Sequence, residues 1–230
     1  MRTCRGRILK ILSPAGIYEN LSAADDDQFE GEIRQMEYSD LEPHVYEGGF
    51  KVWESTGDMM DYLENNSDRV QGTNLLELGC GSAMPAIFSV MLGAKTATIQ
   101  DFNRSVIQCY TEKNILLNNC DPRRFTMVFC DWKSVPEMPQ FKKKFYDLII
   151  SSETIYNTSD YPAFHAALDH CLSDQGVVWL AGKIFYFGVG GSYPDFLDYI
   201  NLENKFVVTN MKTIDAPITR FFIEMRRKHL

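Results

Sequence analysis

Short apolar runs and amphipathic stretches alternate along most of this chain. Leu75–Leu78, Thr96–Gln100, Phe125–Phe129, Phe145–Ile150 and Val177–Ala181 are stretches of strand length rich in apolar and β-branched residues. Between them lie stretches whose apolar positions recur at helical spacing. Asn74–Leu78 reads as the first strand of a repeating unit, and residues 85–92 as the helix after it. Thr96–Gln100 follows, then a helix over about 105–118 with Val106, Ile107, Tyr110, Ile115 and Leu117 as apolar positions. Strands over 125–129 and 145–150, a helix over about 161–172 and a strand over 177–181 continue the alternation. A short helix over 193–202 precedes two last strands, 205–212 and 218–225, joined across Asp215-Ala216-Pro217. Alternating strands and helices imply a parallel sheet covered on both faces. Two strands joined by a short turn must pair antiparallel. The fold class is α/β, mostly parallel, with a C-terminal antiparallel hairpin.

Upstream the pattern changes. Residues 1–40 have weak periodicity, a basic start (Arg2, Arg5, Arg7, Lys10) and an acidic middle (Asp25, Asp26, Asp27, Glu30, Glu32). They read as a loosely ordered extension, with one domain over 41–230. Leu41–Glu54 is dense in aromatics and carries Gly48-Gly49, so it reads as a loop. That loop either packs Tyr46, Phe50 and Trp53 on the core or binds a ligand. Ser55 or Thr56 is the expected N-cap of a helix to about Asn65, with Met59, Met60 and Leu63 inward.

Composition narrows this little. The 230 residues, 45% hydrophobic and 23% charged, suit one soluble α/β domain. A net charge of −8 argues against a general nucleic-acid binder. It is compatible with a basic protein substrate. The six cysteines show no C-x-x-C pair or zinc-like cluster and read as reduced and structural; no metal is expected. No run is long enough to cross a membrane. The basic N-terminus is too interrupted for a secretory signal, and the four N-x-S/T triplets read as chance.

The chemistry sits at the strand ends. Glu77-Leu78-Gly79-Cys80-Gly81 is a glycine turn between strand and helix, where backbone can approach a ligand closely. Met84 stands where a dinucleotide fingerprint would carry its third glycine, which weakens a pyrophosphate reading. Asp101, about 20 residues on, is either a ribose acceptor or a solvated strand-end acid. Asp131-Trp132 is either an amine acceptor with a purine-covering ring or a capping Asp with a packed Trp. The polar cluster Ser151–Asn157 follows the next strand. Either Glu153 accepts a hydrogen bond from a nucleophile while Tyr156 and Asn157 wall or polarise a pocket, or Glu153 is simply exposed and Tyr156 packed. Beyond the fifth strand, Phe185-Tyr186-Phe187 lead into Gly188-Val189-Gly190-Gly191, a deformable loop at the rim.

The three strand-end sites resemble class I S-adenosylmethionine (AdoMet) methyltransferases, with Glu77, Gly79, Gly81, Asp101 and Asp131 at the matching positions. Five stretches together resemble the eukaryotic protein-histidine methyltransferase family: 45–54, 78–82, 100–103, 152–157 and 186–191. The resemblance implies a Rossmann-like sheet and AdoMet as cofactor. It implies cofactor contacts from Trp53, Glu77, Gly79, Cys80, Gly81, Asp101, Asn103, Asp131, Trp132 and Ser152. It implies catalytic roles for Glu153, Tyr156 and Asn157, and substrate contacts from Phe187, Gly188, Gly190 and Gly191. The expected reaction is transfer of one methyl to the tele nitrogen of a histidine in a large-subunit ribosomal protein. A lysine methyltransferase of the same fold and a non-catalytic binding module in ribosome assembly are the alternatives. A monomer in the cytoplasm or nucleus, without nucleic-acid or membrane contact, is expected. The Ala83-Met84-Pro85 stretch departs from the family pattern and bears on the shape of the methionine pocket.

Neutral imidazole suits such a reaction. Its ordinary pKa of about 6.5 leaves it mostly neutral near pH 7, so it need not lose a proton before attack. A group accepting one ring N–H selects the tautomer and so the nitrogen that attacks.

Overall fold

A computed structural model describes residues 2–4, 7–24, 29, 39, 42 and 44–228. The first elements are β1 (Arg2–Cys4), β2 (Arg7–Leu9) and α1 (Pro14–Ala23). Then come α2 (Glu54–Asn65), α3 (Ser67–Val70), β3 (Asn74–Leu78), α4 (Met84–Leu92) and β4 (Thr96–Asp101). The next helix, α5, runs over Arg104–Val106, passes through a π-helical turn at Ile107–Thr111 and continues over Glu112–Leu117. β5 (Phe125–Phe129), β6 (Tyr146–Ser152), α6 (Tyr161–Cys171), β7 (Leu172–Lys183), α7 (Tyr193–Glu203), β8 (Phe206–Ile214) and β9 (Arg220–Arg227) complete it.

Seven strands form one sheet in the order β5-β4-β3-β6-β7-β9-β8. The first five in that order pair in parallel. β9 lies antiparallel between β7 and β8, as a closing hairpin requires. Strand order reverses between β3 and β6, so a crevice opens beyond the C-terminal ends of β3, β4 and β6.

Alternate strand residues serve opposite layers. Leu75, Leu148, Ile150, Trp179 and Phe222 pack with Met59 and Leu63 of α2 and Ile87 and Phe88 of α4. Leu76, Leu78, Ile149, Leu180 and Ile223 pack with Phe164 and Leu168 of α6 and Phe196 and Ile200 of α7. Burial on both faces is why these strands read as near-continuous apolar runs.

Three expectations change. Residues 14–23, inside the stretch read as loosely ordered, form α1. Its Ile17 and Leu21 are buried against Tyr46, Phe50, Val106 and Tyr110. Two inward residues make too faint a periodicity to read from sequence. The acidic positions 25–27, 30 and 32 lie outside the described residues, as does His229. The second change is in α2, which begins at Glu54 with Trp53 at the cap position and no side-chain cap; the Ser55 hydroxyl is engaged elsewhere. Last, β7 starts at Leu172, earlier than its apolar run, with a register shift between Tyr146 and Leu148 of its partner.

Candidate active site

The turn after β3 needs its glycines. Gly79 and Gly81 have φ of +66° and +47°. A Cβ on Gly79 would meet Thr154 Cγ2 at 2.6 Å, and one on Gly81 would meet the Gly49 carbonyl at 2.8 Å. The Tyr46–Phe50 loop therefore lies directly on the turn. Glu77 is buried, and its Oε2 accepts the Ala86 N–H at 3.0 Å near the start of α4. Burial pushes the Glu77 carboxyl well above the usual carboxylate range. Met84 is buried in the core and does not face the crevice. The departure at Ala83-Met84-Pro85 thus leaves Ser82 and Pro85 as the wall.

Asp101 ends β4. Its Oδ2 accepts the Gly81 N–H at 2.8 Å, and its Oδ1 accepts the Asn103 N–H at 3.2 Å. Burial raises its pKa to about 6, against the lowering effect of these backbone bonds. It is no solvated strand-end acid.

Gln100, one residue earlier, has no counterpart in the sequence reading. Its Oε1 accepts from Gly79 N at 3.1 Å and from Trp132 Nε1 at 2.8 Å. Its Nε2 donates to the Cys130 carbonyl at 2.7 Å. One side chain ties the ends of β3, β4 and β5 together. The signal available was a polar residue inside an apolar strand. Trp132 is further held against Phe164, ring centroids 4.8 Å apart. Asp131 Oδ1 accepts the Lys133 N–H at 2.9 Å. The capping reading of Asp131 therefore holds, while both residues still line the crevice.

The crevice lies over the C-terminal ends of β3, β4, β5 and β6. Nine of the ten positions expected to meet the cofactor line it: Trp53, Glu77, Gly79, Cys80, Gly81, Asp101, Asp131, Trp132 and Ser152. Asn103 does not. Its amide donates to the Val45 carbonyl at 2.8 Å and accepts the Glu47 N–H at 3.0 Å, fastening the loop instead.

Glu153 follows β6 in a left-handed conformation, φ +62°, uncommon for a residue with a side chain. Its Oε1 accepts from Ser55 Oγ at 2.6 Å and Ser55 N at 3.2 Å. Its Oε2 is buried without a hydrogen-bond partner among the described residues. The Tyr186 hydroxyl stands near this carboxylate. Burial first, then the Glu153 charge, push Tyr186 proton loss far up. Tyr156 donates to Glu47 Oε2, and burial followed by the Glu47 charge likewise keep its phenol protonated.

A second cleft adjoins the first, walled by Lys183, Ile184, Phe185, Phe187, Val189 and Ile218. Glu47, Trp53, Glu153 and Tyr156 line both clefts and form their junction. Phe187, 93% exposed, is on the rim as expected. Gly188, Gly190 and Gly191 do not line the cleft. A Cβ on Gly191 would meet the Ile155 carbonyl at 2.2 Å, so this glycine serves packing inside the protein. Asn157 lines neither cleft; its Oδ1 accepts from Ser159 N at 3.1 Å and caps a short turn. Among the described residues no cluster of His, Cys, Asp or Glu could hold a metal.

A family model described as lysine methyltransferase matches residues 41–186. The protein named histidine protein methyltransferase 1 homolog in Dictyostelium discoideum is 34% identical over 179 residues, covering 78% of this chain and 57% of that protein. Its Rattus norvegicus namesake is 34% identical over 219 residues, covering 83% and 60%. The chain thus spans less than two thirds of these relatives. Among solved structures, SMU.776 complexed with SAH matches with a TM-score of 0.59 at 14% identity, covering 76% of this chain and 50% of that one. At that identity the likeness is one of fold.

Proposed function

We propose that this chain, which belongs to the lysine methyltransferase family, transfers a methyl group from AdoMet to a ring nitrogen of a histidine in a protein. The observation that carries the choice of acceptor is Glu153 Oε2, buried and unpartnered where the two clefts meet. A neutral imidazole has one N–H to donate and one lone pair to attack with. A carboxylate oxygen that takes the N–H leaves the other nitrogen free and oriented. The same carboxylate beside a lysine would hold it as ammonium, which has no lone pair.

The first cleft fits the cofactor. Gly79 and Gly81 line it, and Asp101 offers a carboxylate at the ribose position. Glu47, Asp101, Asp131 and Glu153 surround the space with acid groups that suit a cation. When bound, AdoMet supplies an electrophilic methyl on a sulfonium. The chain's own part is positioning, which accounts for much of the rate in such a transfer. Trp132, locked by Gln100, offers a flat face for the base. Trp53 and Tyr156 wall the junction and exclude water. Glu153 holds the attacking ring. After attack, the imidazolium gives up its N–H proton; Glu153, or water through it, receives it.

The finer reading is one methyl on the tele nitrogen of a large-subunit ribosomal protein, delivered by a monomer in the cytoplasm or nucleus. The names of the 34% identical relatives support the histidine part. The net charge of −8 favours a basic protein over nucleic acid as the partner. A lysine acceptor is the second reading, favoured by the family description.

Glu153→Gln tests the acceptor role. Calorimetric AdoMet affinity should stay within about twofold while kcat falls ten- to a hundredfold, as for a lost hydrogen bond to a charged group. Wild-type turnover would remove Glu153 from the mechanism.

A further inference from the structure

We infer that Ser55 is a positioning residue that aims the free oxygen of Glu153 at the junction of the clefts. This rests on the reading that Glu153 Oε2 accepts the substrate N–H. Ser55 is fully buried at the second position of α2, yet its hydroxyl does not cap that helix. It donates across 98 positions of chain to Glu153 Oε1 at 2.6 Å, and the Ser55 N–H adds a second bond to the same oxygen at 3.2 Å. Both donors converge on Oε1, whereas Oε2 accepts no hydrogen bond among the described residues and has the Tyr186 hydroxyl near its carboxylate.

A carboxylate with both oxygens free can rotate about its last torsion, a broad two-fold one. Fixing Oε1 removes that freedom. The backbone contributes too: the left-handed Glu153 is tied by its N–H to the Ala181 carbonyl at 2.9 Å. Held at both ends, the Glu153 side chain stands at the junction that Trp53 and Tyr156 also line. Ser55 lines neither cleft, so it acts through Glu153 and touches neither cofactor nor substrate.

Ser55→Ala deletes the hydroxyl and keeps the N–H. The expected loss is about tenfold in kcat, worth about 1.4 kcal/mol, with AdoMet affinity unchanged. Ser55→Cys, nearly the same size but a weak donor, should lose about as much. In a Glu153→Gln background, Ser55→Ala should cost little more, because residues acting as a unit are not additive. A Ser55→Cys enzyme at wild-type rate would overturn the inference. So would a double variant whose defect is the product of the two single defects. If Glu153→Gln is slow and Ser55→Ala is normal, the inference fails and the acceptor reading stands. If Glu153→Gln itself is normal, both fail.

Discussion

Asp101→Asn should make the ligand-free protein more stable at neutral pH while weakening its hold on AdoMet. Burial raises the Asp101 pKa from an ordinary 3.8 to about 6. Between those values the folded chain binds a proton that the unfolded chain has lost. Stability therefore falls as pH rises through this window, and above pH 6 the full cost of burying the charge is present. At about 1.36 kcal/mol per pH unit, that cost is about 3 kcal/mol. Asparagine removes the charge and keeps one acceptor oxygen. It gives up one of the two backbone bonds, from Gly81 or Asn103, a loss of about 1 kcal/mol. The net expectation at pH 7.5 is a gain of about 2 kcal/mol, shrinking to about zero near pH 4.5 as the native carboxyl takes up its proton. Urea unfolding of the ligand-free proteins at the two pH values measures this through the shift in midpoint. Calorimetry on the same proteins should show AdoMet affinity down by at least about tenfold, since a charged acceptor for the ribose is gone. An Asn variant no more stable than wild type at pH 7.5, or equally stabilised at both pH values, would refute the burial argument.

Two other substitutions separate architecture from chemistry. Gln100→Leu keeps the strand apolar but frees Gly79 N, Trp132 Nε1 and the Cys130 carbonyl. It should lower AdoMet affinity about tenfold and broaden Trp132 fluorescence, and unchanged affinity would show that the three-strand tie is dispensable. Asn157→Ala should leave kcat within about twofold, because only a surface turn loses its cap; a large fall in kcat would return Asn157 to the site.

The parts of this site visible in sequence are those whose cause is local. Asn74–Leu78 and Phe125–Phe129 have the same bounds in sequence and structure; β3 is buried on both faces, and edge strand β5 is marked by its apolar and β-branched residues. The glycine turn and Asp101 follow from chain order in a parallel sheet. What stayed hidden depends on partners distant in sequence. Ser55 has the composition of a cap, and only the fold brings Glu153 to it. Gln100 is one polar residue in a strand until Gly79 and Trp132 converge on it. Asn103 and Asn157 err in the opposite direction: they stand within the motif stretches, but Asn103 fastens the backbone of Val45 and Glu47 and Asn157 caps its own turn. The helix at 14–23 has only Ile17 and Leu21 buried, too few to set a period, and its stability comes from packing on Tyr46 and Tyr110.

The central claim is that the junction delivers a methyl group to histidine. The direct test is incubation of the protein with isotopically labelled AdoMet and large-subunit ribosomal proteins, with the modified residue mapped by mass spectrometry. The account predicts label on a single histidine ring nitrogen, lost when the target histidine is replaced and strongly reduced with Glu153→Gln. Label found on lysine, with none on histidine, would contradict it.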